Sequence, residues 1–327
     1  MKKILYIILL TLFTYNAYAE ESTHSLKSYT GSIDNKYNIS MFIEDNFTGY
    51  YKYHSTKLPI TINREKKKIT GSDKSEFIIK KENKTSLSGK WKNNGKTYNF
   101  ALNDGKCLGG KVCSYTIISY NTENYSNQVI YFDDLGIYSI SLSIYDYDTD
   151  KLPKNMSKEK IYSVLKEDAK KMDGEYTGST RVSYFDNNFV CFYGGSSFFY
   201  EGTAHPSFDF GGSCLDINNK AIVDYKLKDL IVDSPASRKM IMKEITAYFE
   251  GDEDYSFNEE DVFGGGEYDI YNYTIFEQYA YVTFDSIGIS IRYLLGEAGR
   301  SQDFFSIPVE KMKPFATGDF KKMLESK

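Results

Sequence analysis

The chain predicts two domains: an N-terminal all-β meander or barrel, then a C-terminal α+β unit with an antiparallel sheet and two main helices. Three observations lead there. Apolar and polar residues alternate with period two through the first third, as in Tyr50-Tyr51-Lys52-Tyr53, the mark of strands with one buried face. In the second half two windows change to a helical period between runs of strands, which separates helices from sheet instead of alternating them. Finally, charge changes sign near residue 115. Residues 20–115 hold 17 Lys/Arg and 10 Asp/Glu, net +7, and residues 116–327 hold 21 and 35, net −14.

The first residues read as a leader. Lys2 and Lys3 precede an apolar run from Ile4 to Phe13, and Ala17-Tyr18-Ala19 places small residues where a signal peptidase reads. A cleaved secretory signal over 1–19 is expected, followed by a β-rich domain over 20–115 and an α+β domain over 116–327. No later segment reaches 18 consecutive apolar residues, so the cleaved chain is not expected to span a membrane.

In the first domain, strands are expected at Asn38–Glu44, Thr48–Tyr53, Pro59–Asn63, Ser75–Lys80, Ser86–Lys92 and Tyr98–Leu102. Asp45-Asn46, Gly71-Ser72-Asp73 and Asn93-Asn94-Gly95 supply the turns. Arg64-Glu65-Lys66-Lys67-Lys68 reads as a solvated hairpin tip, and Trp91 as core. In the second domain, Ser157 caps a helix to about Asp173 whose apolar face is Ile161, Val164, Leu165, Ala169 and Met172, with Gly174 at its stop. Ser234-Pro235 opens the second helix, through Ile241, Ile245, Tyr248 and Phe249 to Gly251. Strands are expected near 129–132, 137–145, 178–185, 188–193, 197–201, 207–210, 213–217, 275–284, 287–293 and 304–308.

Four cysteines suit an oxidising compartment. Cys107 with Cys113 and Cys191 with Cys214 is the local pairing and keeps one bridge in each half. It is one of three connectivities that four cysteines allow.

The inventory for catalysis is thin. Three histidines, His24, His54 and His205, lie far apart in sequence, and His24 falls in what reads as a frayed start. No H-E-x-x-H, G-x-S-x-G or G-x-x-x-x-G-K-[ST] occurs. No residue is therefore assigned a catalytic, cofactor-binding or metal-binding role, and no cofactor is expected. The acidic run 251–269 contains Glu259, Glu260 and Asp261, but Phe257 and Phe263 stand where a calcium loop needs glycine and glutamate. An acidic half repels nucleic acid and attracts basic partners. The run reads either as a solvated acidic loop or as a docking surface for a basic partner; in the second case Glu259, Glu260 and Asp261, with Tyr255, Phe257, Phe263 and Tyr268 as aromatic anchors, are the partner-binding residues.

Tyr200-Glu201-Gly202-Thr203-Ala204-His205-Pro206, then Leu215-Asp216-Ile217, then Leu227-Lys228-Asp229-Leu230-Ile231 follow one another in an order that resembles the RsiV-like exported domain. That domain forms the ectodomain of the lysozyme-sensing anti-sigma factor RsiV and the C-terminal part of the peptidoglycan deacetylase PdaC. Gly288-Ile289-Ser290-Ile291-Arg292-Tyr293 and Phe305-Ser306-Ile307-Pro308 through Phe315 extend the resemblance, which covers about 116–327. Thr203, Asn219 and the Cys191/Cys214 pair depart from the pattern. Residues Gly31, Ile33, Tyr37, Ile39, Met41 and Ile43, then Gly49, Tyr50, Tyr51 and Tyr53, are similar to a β-rich segment of other exported bacterial proteins. Gly202, His205 and Pro206 read as a structural turn, with His205 bonding a neighbouring carbonyl.

The resemblance implies an exported binding protein, periplasmic or secreted, for a protein or envelope-polymer ligand, with a basic lysozyme-like protein as first candidate. The alternative is a peptidoglycan-associated hydrolase or accessory factor. If the cysteines are paired, thiol titration of unreduced, denatured protein should count none, and four reactive thiols would refute the oxidised state.

Overall fold

The computed structural model describes residues 17–45, 48–56, 58–140, 155–200, 207–250, 257–264, 274–291 and 304–325. Eight antiparallel strands make a closed barrel: β1 (Tyr18–Ile33), β2 (Tyr37–Glu44), β3 (Thr48–Tyr53), β4 (Pro59–Glu65), β5 (Lys68–Gly71), β6 (Glu76–Glu82), β7 (Leu87–Asn93) and β8 (Lys96–Lys106). Each pairs with the next, and β8 returns to β1, from Ser28 opposite Lys106 to Ile33 opposite Phe100. Closure leaves the barrel no edge to recruit another chain.

Alternation puts Tyr29, Ile33, Met41, Tyr51, Ile69, Phe77, Trp91, Phe100 and Leu102 into one buried cluster inside. Asn94-Gly95 turns β7 into β8 with both residues at positive φ, 47° and 74°, the two-residue hairpin that Asn-Gly favours. The six expected strands become eight. The structure adds β5, which is only four residues long beside the lysine-rich tip, and β1, which shares its sequence with the expected leader cleavage site and frayed start.

β1 is long because it serves two sheets. Leu26–Ile33 pairs with β2, whereas Tyr18–Ser25 pairs with β9 (Ser114–Asn121). From there the second sheet continues through β10 (Tyr125–Phe132), β12 (Glu175–Phe185), β13 (Phe189–Phe199), β14 (Ser207–Asp216) and β15 (Ala221–Asp224), with β11 (Ile137–Ile140) paired to β10. One junction departs from the antiparallel pattern: β10 meets β12 in parallel at Tyr125 and Ser126. Helix α1 (Lys158–Lys171) lies between them in sequence and carries the chain back in the same direction. The Ser157 side chain caps it by accepting from the Lys160 N–H, and Ile161, Val164 and Leu165 are buried.

Two pairs of expected strands are single strands. β13 runs through the gap expected between 188–193 and 197–201, and β14 through the gap expected between 207–210 and 213–217. The glycines that look like turns, Gly194-Gly195 and Gly211-Gly212, lie inside this ladder, with Gly194 opposite Gly211, Gly195 opposite Phe210 and Gly212 opposite Tyr193. A Cβ on Gly195 would lie 2.4 Å from the Phe210 ring, and one on Gly212 would lie 2.3 Å from the Tyr281 Cβ. Glycine there makes room for rings.

Beyond β15 come α2 (Leu227–Leu230), α3 (Pro235–Tyr248), α4 (Glu259–Phe263), β16 (Ala280–Val282), β17 (Ser286–Ser290), β18 (Phe304–Pro308), α5 (Val309–Met312) and α6 (Gly318–Glu325). Strands β16–β18 form a separate small sheet, joined to the larger one where Tyr281 stacks on Tyr193 at 4.7 Å. The expected strand 275–284 instead opens with a 3-10 turn, Ile275–Glu277, and is extended only at Ala280–Val282. Both cysteine pairs are bridged, Cys107 to Cys113 and Cys191 to Cys214. Cys191 stands directly opposite Cys214 in the β13–β14 register.

Gly31 sits where the barrel closes. A Cβ there would lie 2.0 Å from the Ala101 carbonyl oxygen and 2.8 Å from the Leu102 Cα. Gly31→Ala should therefore force the β1–β8 seam apart and cost about 1–3 kcal/mol in urea unfolding, as overpacking does. An unchanged midpoint would mean that the seam tolerates a side chain.

Candidate functional site

Helix α4 holds the expected partner-binding carboxylates. Its Asn258 cap accepts from the Asp261 N–H at 3.0 Å, and Asp261 Oδ2 accepts from the Asn258 N–H at 2.8 Å. Asp261 is thus engaged in capping, while Glu259 and Glu260 are exposed. Val262 and Phe263 are buried and fasten the turn to the core. Phe263 packs on Phe276, with the Arg238 guanidinium 5.0 Å over its ring, and Phe257 lies edge-on to Phe249 at 5.1 Å. These two rings serve the core. Tyr255, Tyr268, Gly202, His205 and Pro206 lie outside the described residues.

A second polar constellation lies in the seam between barrel and sheet. Phe42 and Tyr50 on the outer face of the barrel belong to the same buried cluster as Tyr184, Phe185 and Val190. Within it, Asp186 is fully buried. Its Oδ1 accepts from the N–H groups of Asn188 and Phe189 at 2.7 and 2.8 Å, and its Oδ2 accepts from the Tyr184 hydroxyl at 2.8 Å. Burial raises the carboxyl above its ordinary value, against those hydrogen bonds and the Lys52 ammonium, which lower it. Lys52, on β3, is itself buried. The adjoining cavity, lined by Tyr50, Lys52, Tyr184 and Phe284, holds only about 10 Å³. That is room for one water and no ligand. The seam is built for joining.

The third constellation stands where β1 passes from sheet to barrel. His24 is not in a frayed start: it is 8 % exposed, stacked on Tyr115 at 4.9 Å, with Nδ1 3.2 Å from Glu44 Oε1. The Tyr115 hydroxyl donates to the same oxygen at 2.5 Å, and burial, then the Glu44 charge, raises that phenol. Asp45 follows Glu44 at the strand end. Among the described residues, His24, Glu44 and Asp45 are a group whose ligand atoms all lie within 4.8 Å of one another. The sequence signal was faint, since His24 and Glu44-Asp45 are 20 residues apart and meet only through the β1–β2 register, with Leu26 opposite Glu44. His54 lies elsewhere on the barrel, with Nε2 2.9 Å from Ser40 Oγ.

No family model matches the chain, and no curated protein does either. Among solved structures it is similar to the crystal structure of a DUF3298 family protein from Pseudomonas aeruginosa. The two are 14 % identical with a TM-score of 0.34, over 54 % of this chain and 75 % of the other. A likeness that loose assigns no site. Among the described residues, no helix is long and apolar enough to cross a membrane.

The seam yields a test with a pH signature. Asp186 holds its proton to a higher pH when folded than when unfolded, so its contribution to stability is full below the ordinary carboxyl range. That contribution is lost as pH rises through the folded value. Removing the cation raises the folded value further and enlarges the loss. Lys52→Met should destabilise the protein at neutral pH, and clearly less below about pH 4, where Asp186 is protonated in both states. Urea unfolding at the two pH values measures this, and a cost independent of pH would uncouple Lys52 from Asp186.

Proposed function

We propose that this chain is an exported binding protein of the cell envelope, periplasmic or secreted, whose C-terminal α+β unit recognises a strongly basic, lysozyme-like protein. The observation that carries it is the presentation of Glu259 and Glu260. Both are exposed on a turn whose next residues, Val262 and Phe263, are buried. Charges held on a fixed support lose little freedom on binding. They stand in the half that carries net −14, whose field guides a cationic partner over about 10 Å at 0.1 M salt.

The resemblance of residues 116–327 to the RsiV-like domain supplies the class of partner, and the charge makes that class physically reasonable. The bridges Cys107–Cys113 and Cys191–Cys214 suit an oxidising compartment. A leader over 1–19 would deliver the chain there. Specific binding also needs apolar anchors under the charge. With Phe257 and Phe263 packed on the core, Tyr255 and Tyr268 are the aromatic anchors left in the acidic run.

Titration of the leader-free protein with lysozyme at low ionic strength tests the reading. Saturable binding in the micromolar range or tighter is expected, and its absence would remove lysozyme as the partner. The double variant Glu259→Gln, Glu260→Gln should slow association severalfold and leave dissociation nearly unchanged, the usual signature of rim charges.

A further inference from the structure

We propose that His24, Glu44 and Asp45 form a binding site for a divalent transition-metal ion of the zinc class, at the waist where β1 leaves the second sheet and enters the barrel. Four features of the cluster point there together.

The first is the ligand set. One imidazole nitrogen and two carboxylates are donors that zinc accepts, and with a solvent molecule they complete four coordinate positions. An imidazole in the set favours zinc, nickel or copper over calcium or magnesium, which prefer oxygen alone.

Spacing is the second. With metal–ligand bonds of roughly 2.0–2.1 Å, neighbouring corners of a tetrahedron are about 3.3 Å apart. His24 Nδ1 and Glu44 Oε1 are already 3.2 Å apart, and Asp45 brings its oxygen within 4.8 Å of both.

Third, each ligand is held from behind by a hydroxyl. Ser22 Oγ lies 3.0 Å from His24 Nε2, so the second ring nitrogen can donate to it while Nδ1 faces the carboxylates. Thr48 Oγ1 donates to Glu44 Oε2 at 3.1 Å, and Ser25 Oγ donates to Asp45 Oδ2 at 2.6 Å. Such outer partners fix the orientation of metal ligands and raise their affinity. Tyr115 adds its hydroxyl on Glu44 Oε1 and its ring against the imidazole.

Access is the fourth. His24 and Glu44 are each 8 % exposed, whereas Asp45 is exposed. The group therefore has a packed floor and an open side through which an ion can enter. A bound ion would tie the end of β2 to the sheet half of β1, beside the Asp45 N–H bond to the Ser25 carbonyl at 3.1 Å.

The experiment is calorimetric titration of the full leader-free chain, without an affinity tag, with zinc chloride, and separately with calcium and magnesium chloride. One equivalent of zinc should bind and raise the melting temperature. Because Asp45 is exposed, Asp45→Asn should remain folded and lose at least tenfold in zinc affinity. His24→Gln should abolish both the binding and the thermal shift, with circular dichroism confirming that the variant is folded. Absent or non-saturable zinc uptake overturns the assignment, as does an affinity unchanged in Asp45→Asn. Calcium binding at this ratio without zinc overturns it too, since that result would exclude the imidazole as a ligand.

Discussion

The structure depends on one strand satisfying two sheets. Every backbone donor and acceptor withdrawn from water needs a partner, and β1 meets that demand by changing neighbours along its length. Its first half is laddered to β9, and its second half lies between β2 and β8. The barrel cannot close without the second half, and the larger sheet loses a strand without the first. Because a peptide chain in extended form is stiff, the two bodies are held at a fixed angle by covalent geometry as well as by packing.

Packing reinforces that join on the side chains. Phe42 and Tyr50 leave the barrel wall to stack at 4.9 Å, and Tyr50 continues onto Tyr184 at 5.7 Å and Phe284 at 4.9 Å. An aromatic column of this kind buries large area in preferred offset and tilted arrangements. Asp186 and Lys52 introduce charge into the same place, where one poorly matched partner is costly. The apolar column supplies adhesion, and the polar groups specify how the two surfaces fit.

Much of the local structure was legible because single residues carried decisive local chemistry. Asn94-Gly95 announced its hairpin, Ser157 and Gly174 bracketed α1, and Ser234-Pro235 opened α3. Where glycine had two meanings the reading failed. Gly194-Gly195 and Gly211-Gly212 look like turns, yet lie mid-strand, Gly195 admitting Phe210 and Gly212 admitting Tyr281, a reason visible only when the third partner is in place. His24 was illegible for a similar cause. Its partners depend on strand register, which no local window contains, and its nearness to the expected leader suggested looseness. Of the acidic run, the exposure of Glu259 and Glu260 could be read, but the inward packing of Phe257 and Phe263 could not, because aromatic residues serve cores and interfaces equally well.

The double duty of β1 also sets an order of events when the chain folds. Its barrel half meets β2 at once, but its second barrel neighbour arrives only with β8 and its partner in the sheet only with β9, so Glu20 must wait for Ser119 and Ile33 for Phe100. Loops of that length make native contacts slow to form, since closure entropy is lost before contacts compensate. The hairpins from β2 to β7, each joining neighbours in sequence, have no such delay. Of the barrel strands, the first in sequence is therefore the one satisfied last. During that interval the sheet half of β1 and the β8-facing edge of its barrel half are unpaired and have to be kept from the wrong neighbours.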